Sequence, residues 1–290
     1  MNDMLIMQNC DLHTHSNYSD GTYTPAELIA EAEKIGLSAV ALCDHNTVSG
    51  LPEFLSAAEG KKVKAVAGIE ISTDYGKTEL HIVGLFIKPE YFARVEEFTE
   101  ILLDNKEACN RELIKRLNDA GYDISFDEIK AKTANGRFNR AHIGEALAEK
   151  GYVGSITEAF DTLLAKNSEY YVPTKRVGVF EAIEFLKSVE ATAVLAHSFL
   201  DLTEEELLTF LPKAKAHGLD AMETYYLNYN EETINKACEI ADRHGLLHSG
   251  GSDFHGARKP NVLLGRGTGE HTVPHEIYER LKTQNELSDI

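Results

Sequence analysis

The sequence predicts an α/β barrel interrupted by a helical insertion. Three observations carry this prediction. Short, nearly all-apolar segments alternate with amphipathic ones; the alternation stops between about 92 and 168; and His, Asp and Glu residues gather where the apolar segments end.

Taken in order, Asp11–His15 (DLHTH) reads as a strand end. Thr24 then caps a helix that has Pro25 at its first position, Glu27 completing a capping box and Gly36 as a left-handed stop. Ser38–Cys43 (SAVALC) is the run of a strand buried on both faces, Leu51–Glu59 reads as helix, and Val63–Ile71 and Glu79–Ile87 read as strands. Successive βα units imply a parallel sheet. Helical periodicity then occupies 92–119, 126–133, 140–150 and 155–165, without buried-strand runs. The βα pattern resumes with helix 178–188, strand Thr192–Ala196, helix 203–216, strand Leu219–Thr224, helix 230–243 and strand Leu246–Ser249. The expected organisation is a barrel of 1–91 and 169–290, with 92–168 as a helical insertion.

The 290 residues are 43% hydrophobic and 26% charged, which excludes disorder and coiled coil and fits one or two domains. With 29 Lys and Arg against 47 Asp and Glu the net charge is −18, which argues against long nucleic acid as a partner. Cys10, Cys43, Cys109 and Cys238 are widely spaced and read as free thiols, not as a zinc knuckle or disulfide framework. No apolar run approaches the roughly 20 residues of a membrane span. Met1–Gln8 lacks the pattern of a signal peptide, so a cytoplasmic protein is expected.

The period of two along DLHTH puts Asp11, His13 and His15 on one face, where two imidazoles can converge on one cation. Alone, such a pair is more often solvated than ligating. It is joined by Asp20 in the next loop, His45 after SAVALC, Glu70 ending one strand, His81 beginning the next, His197 ending AVLA, and Asp253 and His255 beyond LLHSGG. In parallel barrels the strand ends share one pocket. Nine such groups buried without a cation would be costly. Imidazole and carboxylate ligands without thiolate suit Zn, Mn or Fe.

The motifs DLHTHS-x3-D, CDHN, GIE, the His of LHIVG, AH and SDFH resemble the PHP (polymerase and histidinol phosphatase) superfamily over essentially the whole chain. They are most similar to its stand-alone members that hydrolyse nucleotide phosphomonoesters or trim short 5′-phosphorylated RNA. The resemblance implies a distorted (β/α)7 barrel, a small helical insertion covering the site, and two to three divalent ions. It implies that His13, His15, Glu70 and Asp253 hold the first ion. Glu70 would bridge to a second on His81 and His197, and Asp20, His45 and His255 would hold a third. The family's AHP is here Ala196-His197-Ser198, without the proline. Arg140 and His142 resemble the subgroup's Arg-x-His, and as the first turn of a helix they would cradle phosphate. Lys175 and Arg176 are candidates for a second phosphate, while Arg137 and Lys166 read as surface charge. Tyr225, Tyr226 and Tyr229 suit base stacking and barrel-mouth packing equally.

The expected chemistry is phosphoester hydrolysis by in-line attack of a hydroxide bridging two ions, with Glu70 as the bridging ligand and His197 beside the reacting centre. The expected substrate is a nucleoside 3′,5′-bisphosphate or a short 5′-phosphorylated oligonucleotide. The alternatives are a histidinol-phosphate phosphatase, a non-catalytic metal-binding module and a C–N amidohydrolase.

Overall fold

The computed structural model describes residues 9–133, 138–173, 176–269 and 271–288. Its order opens with β1 (Asn9–Thr14), α1 (Pro25–Ile35), β2 (Ala39–Leu42), α2 (Leu51–Ala57), β3 (Lys64–Tyr75) and β4 (Thr78–Leu85). The helical stretch follows as α3 (Phe92–Asp119), α4 (Phe126–Ala131), α5 (Arg140–Glu149) and α6 (Ile156–Asp161). Then come β5 (Val177–Gly178), α7 (Val179–Ser188), β6 (Thr192–Leu195), α8 (Glu204–Ala216), β7 (Ala221–Tyr226), α9 (Glu231–Arg243), β8 (Leu247–Gly251), β9 (Val273–Pro274) and α10 (His275–Ser288).

The sheet runs β8-β7-β6-β4-β3-β2-β1-β9, with β5 on β3. It curls into a nearly closed barrel. At the seam the Asp253 N–H donates to the His13 carbonyl at 2.9 Å and the His15 N–H donates to the Phe254 carbonyl at 2.9 Å. The sheet is mixed, not parallel, because β4 is antiparallel to both β3 and β6. Only Gly76 and Lys77 separate β3 from β4, with Gly76 at φ 65°, and so short a link can only make a hairpin.

Alternation along β2 sorts the core. Ala39 and Ala41 join Leu12, Val83 and Val194 inside the barrel, while Val40 and Leu42 pack outward with Leu28 and Ile29 of α1. Helix α1 has the Thr24–Glu27 capping box and the left-handed Gly36. Helices α3–α5, with residues further along to Leu164, build a separate apolar cluster around Leu117, Ile143 and Leu147. Residues 271–288, beyond the last element predicted above, carry β9 and α10; Ile277, Tyr278 and Leu281 seal the barrel interior beside Cys10. All four cysteines are free. No helix among the described residues is long and apolar enough to cross a membrane.

Candidate metal centre

The barrel brings all nine predicted ligands to one end. His13 and His15 stand at the close of β1, Asp20 in the turn after it, and His45 three residues beyond β2. Glu70 lies within β3, not at its end, because the strand continues to Tyr75. His81 reaches the same place from the early part of β4, since that strand runs the opposite way. His197 follows β6 with φ 25°, and Asp253 follows β8 with φ 55°. Such backbone costs about 1–3 kcal/mol and persists where surroundings impose it.

The centre is organised on the Glu70 carboxylate, which is 1% exposed. Its Oε2 lies 3.4 Å from His13 Nε2, 3.3 Å from His15 Nε2 and 3.0 Å from His45 Nδ1. Its Oε1 lies 2.8 Å from His81 Nδ1 and 3.0 Å from His197 Nε2. His15 Nε2 is also 3.3 Å from Asp253 Oδ1, and His255 Nε2 is 3.2 Å from Asp20 Oδ1. His45 Nε2 approaches Asp20 Oδ2 at 3.7 Å.

These groups ionise unequally. Burial pushes His15 down to about 4 and His45 to about 3. The Glu70 carboxylate outweighs burial for His81, raised to about 9, and with Asp201 for His197, raised to about 10. Glu70 itself is held well below the carboxylate range by the histidines around it, against its burial.

His13 Nε2, both nitrogens of His15, His45 Nδ1, His197 Nδ1 and Glu70 Oε2 are buried without a hydrogen-bond partner. Leaving several such atoms unsatisfied costs about 1–3 kcal/mol each. Divalent cations fit the donor set, because ions bound at 2.0–2.2 Å place tetrahedral ligands about 3.3–3.6 Å apart. Three groups of donor atoms each lie within 4.8 Å of one another: His15, Asp20, His45 and His255; His13, His15 and Glu70; and His45, Glu70 and His81. Among the described residues His15 and His45 thus each face two groups, a sharing absent from the ligand sets that the resemblance implies.

Residues absent from the prediction support the centre. Glu223 of β7, 2% exposed, places Oε1 3.1 Å from His13 Nδ1 and accepts from the His197 N–H at 2.8 Å. The signal was visible as a lone carboxylate in a buried strand. Lys259 Nζ donates to Asp253 Oδ2 at 2.6 Å, and the Tyr226 hydroxyl donates to the same oxygen at 2.9 Å. Tyr229 accepts from the Phe199 N–H at 2.8 Å, so Tyr226 and Tyr229 are buried packing groups here. Asp44 holds the Asp20 loop, accepting from Ser16 Oγ at 2.6 Å and from Ser19 Oγ.

A cleft opens over Asp20, His45 and His81, walled on its other side by the helical stretch. Asn139, which caps α5, donates to Asp20 Oδ2 at 2.6 Å. Arg140 and Arg176 line this cleft, but each is engaged. Arg140 donates to the Leu164 carbonyl at 3.2 Å and lies over the rings of Phe160 and Tyr171. Arg176 pairs with Asp74 at 3.2 Å and Glu79 at 2.7 Å. His142 is buried, with Nδ1 accepting from the Asn139 N–H at 3.2 Å. Lys166 is exposed beside Glu79. Arg137, Lys175 and Met1–Gln8 lie outside the described residues.

The PHP domain model matches residues 11–187. A 5′-3′ exoribonuclease of Haemophilus influenzae is 31% identical over 84% of this chain and 89% of its own length. A 3′,5′-nucleoside bisphosphate phosphatase of Chromobacterium violaceum is 30% identical over 86% of this chain and 88% of its own. Among solved structures, a protein of Bifidobacterium adolescentis assigned as a metal-dependent phosphoesterase superposes with a TM-score of 0.84 at 28% identity, covering 96% of each chain.

Proposed function

The chain belongs to the PHP domain family as a metal-dependent phosphoesterase, and from that premise we propose that its substrate is a small phosphorylated nucleotide. The candidates are a nucleoside 3′,5′-bisphosphate and the 5′-phosphorylated end of a short oligonucleotide. The observation that carries this reading is the convergence of five imidazoles on Glu70, two of them, His45 and His81, lining a cleft with cationic side chains on its wall. The activities named for the two relatives support it.

In this reading two to three ions of Mn, Fe or Zn would be held by His13, His15, Glu70 and Asp253, by Glu70, His81 and His197, and by Asp20, His45 and His255. Bound there, divalent ions supply a water of lowered pKa and neutralise charge on the phosphoryl oxygens. The protein's own part is preorganisation. Glu70, held ionised, gives one oxygen to each side of the centre. Glu223 fixes His13 and the His197 backbone, and Lys259 with Tyr226 fixes Asp253. Arg140 and His142 open α5, where helix N–H groups favour an anion. The net charge of −18 opposes long polyanions and leaves the cleft as a local trap for short ones.

The test is phosphate release in Mn²⁺-supplemented buffer, with an EDTA control, from adenosine 3′,5′-bisphosphate, AMP, a 5′-phosphorylated dinucleotide and histidinol phosphate. Metal-dependent release from the bisphosphate or cleavage of the dinucleotide supports the reading. Inertness toward both by protein shown to be metal-loaded sinks it.

A further inference from the structure

Three cationic side chains of described residues line the cleft: Lys106 of α3, Arg140 of α5 and Arg176 before β5. They are not equivalent. Arg176 sits between Asp74 and Glu79, and Arg140 is spent on the Leu164 carbonyl and two aromatic faces. Lys106 makes no hydrogen bond or ion pair with any described residue, and it is half-buried. Burial pushes its ammonium below the ordinary lysine range, with Asp20 and Glu79 opposing the shift.

A desolvated ammonium with no acceptor among the described residues is half of an interaction, and the partner it calls for is an anion. The position restricts which anion. Lys106 shares the cleft with Asp20, His45 and His81 of the metal centre and with the apolar side chains of Leu113, Phe160 and Val172. A ligand with its reacting phosphate on the centre can therefore lay its sugar and base along the apolar wall and reach Lys106 with a second charged group. A flexible stem with three donors suits a terminal phosphate, which presents oxygens in several directions.

We propose that Lys106 binds a second, non-reacting phosphate of the substrate and makes the enzyme select bisphosphorylated over monophosphorylated nucleotides. The inference rests on the phosphoesterase reading and deepens it: specificity resides in an α3 lysine that no motif marks, rather than in Arg176, whose charge is already matched.

The experiment compares hydrolysis of adenosine 3′,5′-bisphosphate and adenosine 3′-phosphate by the Mn²⁺-loaded wild type, Lys106→Ala and Lys106→Arg. A charge-assisted contact predicts that Lys106→Ala raises KM for the bisphosphate roughly tenfold or more, leaves kcat near wild type and barely changes the monophosphate. Lys106→Arg keeps most of the preference. Equal losses on both substrates, or none on the bisphosphate, overturn the proposal. Should the wild type hydrolyse neither compound, the phosphoesterase reading fails by itself, and calorimetry with the same two ligands in EDTA decides the inference. A wild-type preference for the bisphosphate that Lys106→Ala abolishes supports it, and the absence of any preference overturns it.

Discussion

Glu223 Oε1 lies 3.1 Å from His13 Nδ1, and both residues are buried. With Glu223 placed to accept the Nδ1 proton, Nε2, on the Glu70 side, is the nitrogen left for a cation. The second oxygen of Glu223 accepts from the His197 N–H, so one carboxylate positions two sides of the centre. Glu223→Gln keeps the volume and loses the acceptor charge. Metal retained after dialysis against a graded chelator series should show affinity reduced about 10- to 100-fold, with circular dichroism unchanged. Wild-type retention would refute the positioning role.

Metal loading should release protons at neutral pH. Without metal, His81 holds its proton up to about 9 and His197 up to about 10, both raised above 6.5 by carboxylates. The stability these contacts contribute to the metal-free chain is present below about pH 6.5 and lost as pH rises through those values. A cation needs the neutral imidazoles, so apparent affinity rises with pH over the same window. Mn²⁺ calorimetry in two buffers of different ionisation enthalpy should give different observed heats, with net proton release at pH 7.5. Identical heats in both would contradict this charge distribution.

The sequence exposed what is local and periodic and concealed what is directional or long-range. DLHTH disclosed its ligand face because a strand's period is two, and α1 disclosed its ends because caps are built from adjacent residues. The direction of β4 stayed hidden, since an apolar strand reads the same both ways and only the short Gly76–Lys77 link betrays the hairpin. Arg176 looked free because its partner Asp74 is 102 positions away. Glu223 is concealed inside AMETYY, because a lone acid in a buried strand belongs to no motif and its partners His13 and His197 are distant in sequence.

The helical stretch should be latched to the barrel by Arg258. Its guanidinium donates to Glu145 of α5 at 2.8 and 3.2 Å and to the Gly21 carbonyl at 3.0 Å, beside the Asp20 loop. Arg258→Ala removes one guanidinium that ties both bodies. Hydrogen exchange should quicken in 138–161 and stay unchanged in β2 and β3, while global stability falls by only about 1 kcal/mol, as for a partly exposed pair. Uniformly faster exchange across the barrel would show that the residue supports the core instead.

Gly251 should be required by the metal centre through its lack of a side chain. A Cβ there would lie 2.5 Å from both the backbone nitrogen and the Cβ of His13, and main chain cannot swing aside as a flexible side chain does. Gly251→Ala must push β8 away from β1 at the seam where the Asp253 N–H meets the His13 carbonyl. The expected loss is about 1–3 kcal/mol, typical of overpacking, measured by urea unfolding in EDTA. Metal stoichiometry should fall too, because His13 and Asp253 move apart. Gly178→Ala is the control: no atom lies within 4 Å of its added Cβ. Its stability should stay within about 0.5 kcal/mol of wild type. Equal behaviour of the two variants would mean that the seam tolerates the methyl group and does not set the spacing of the ligands.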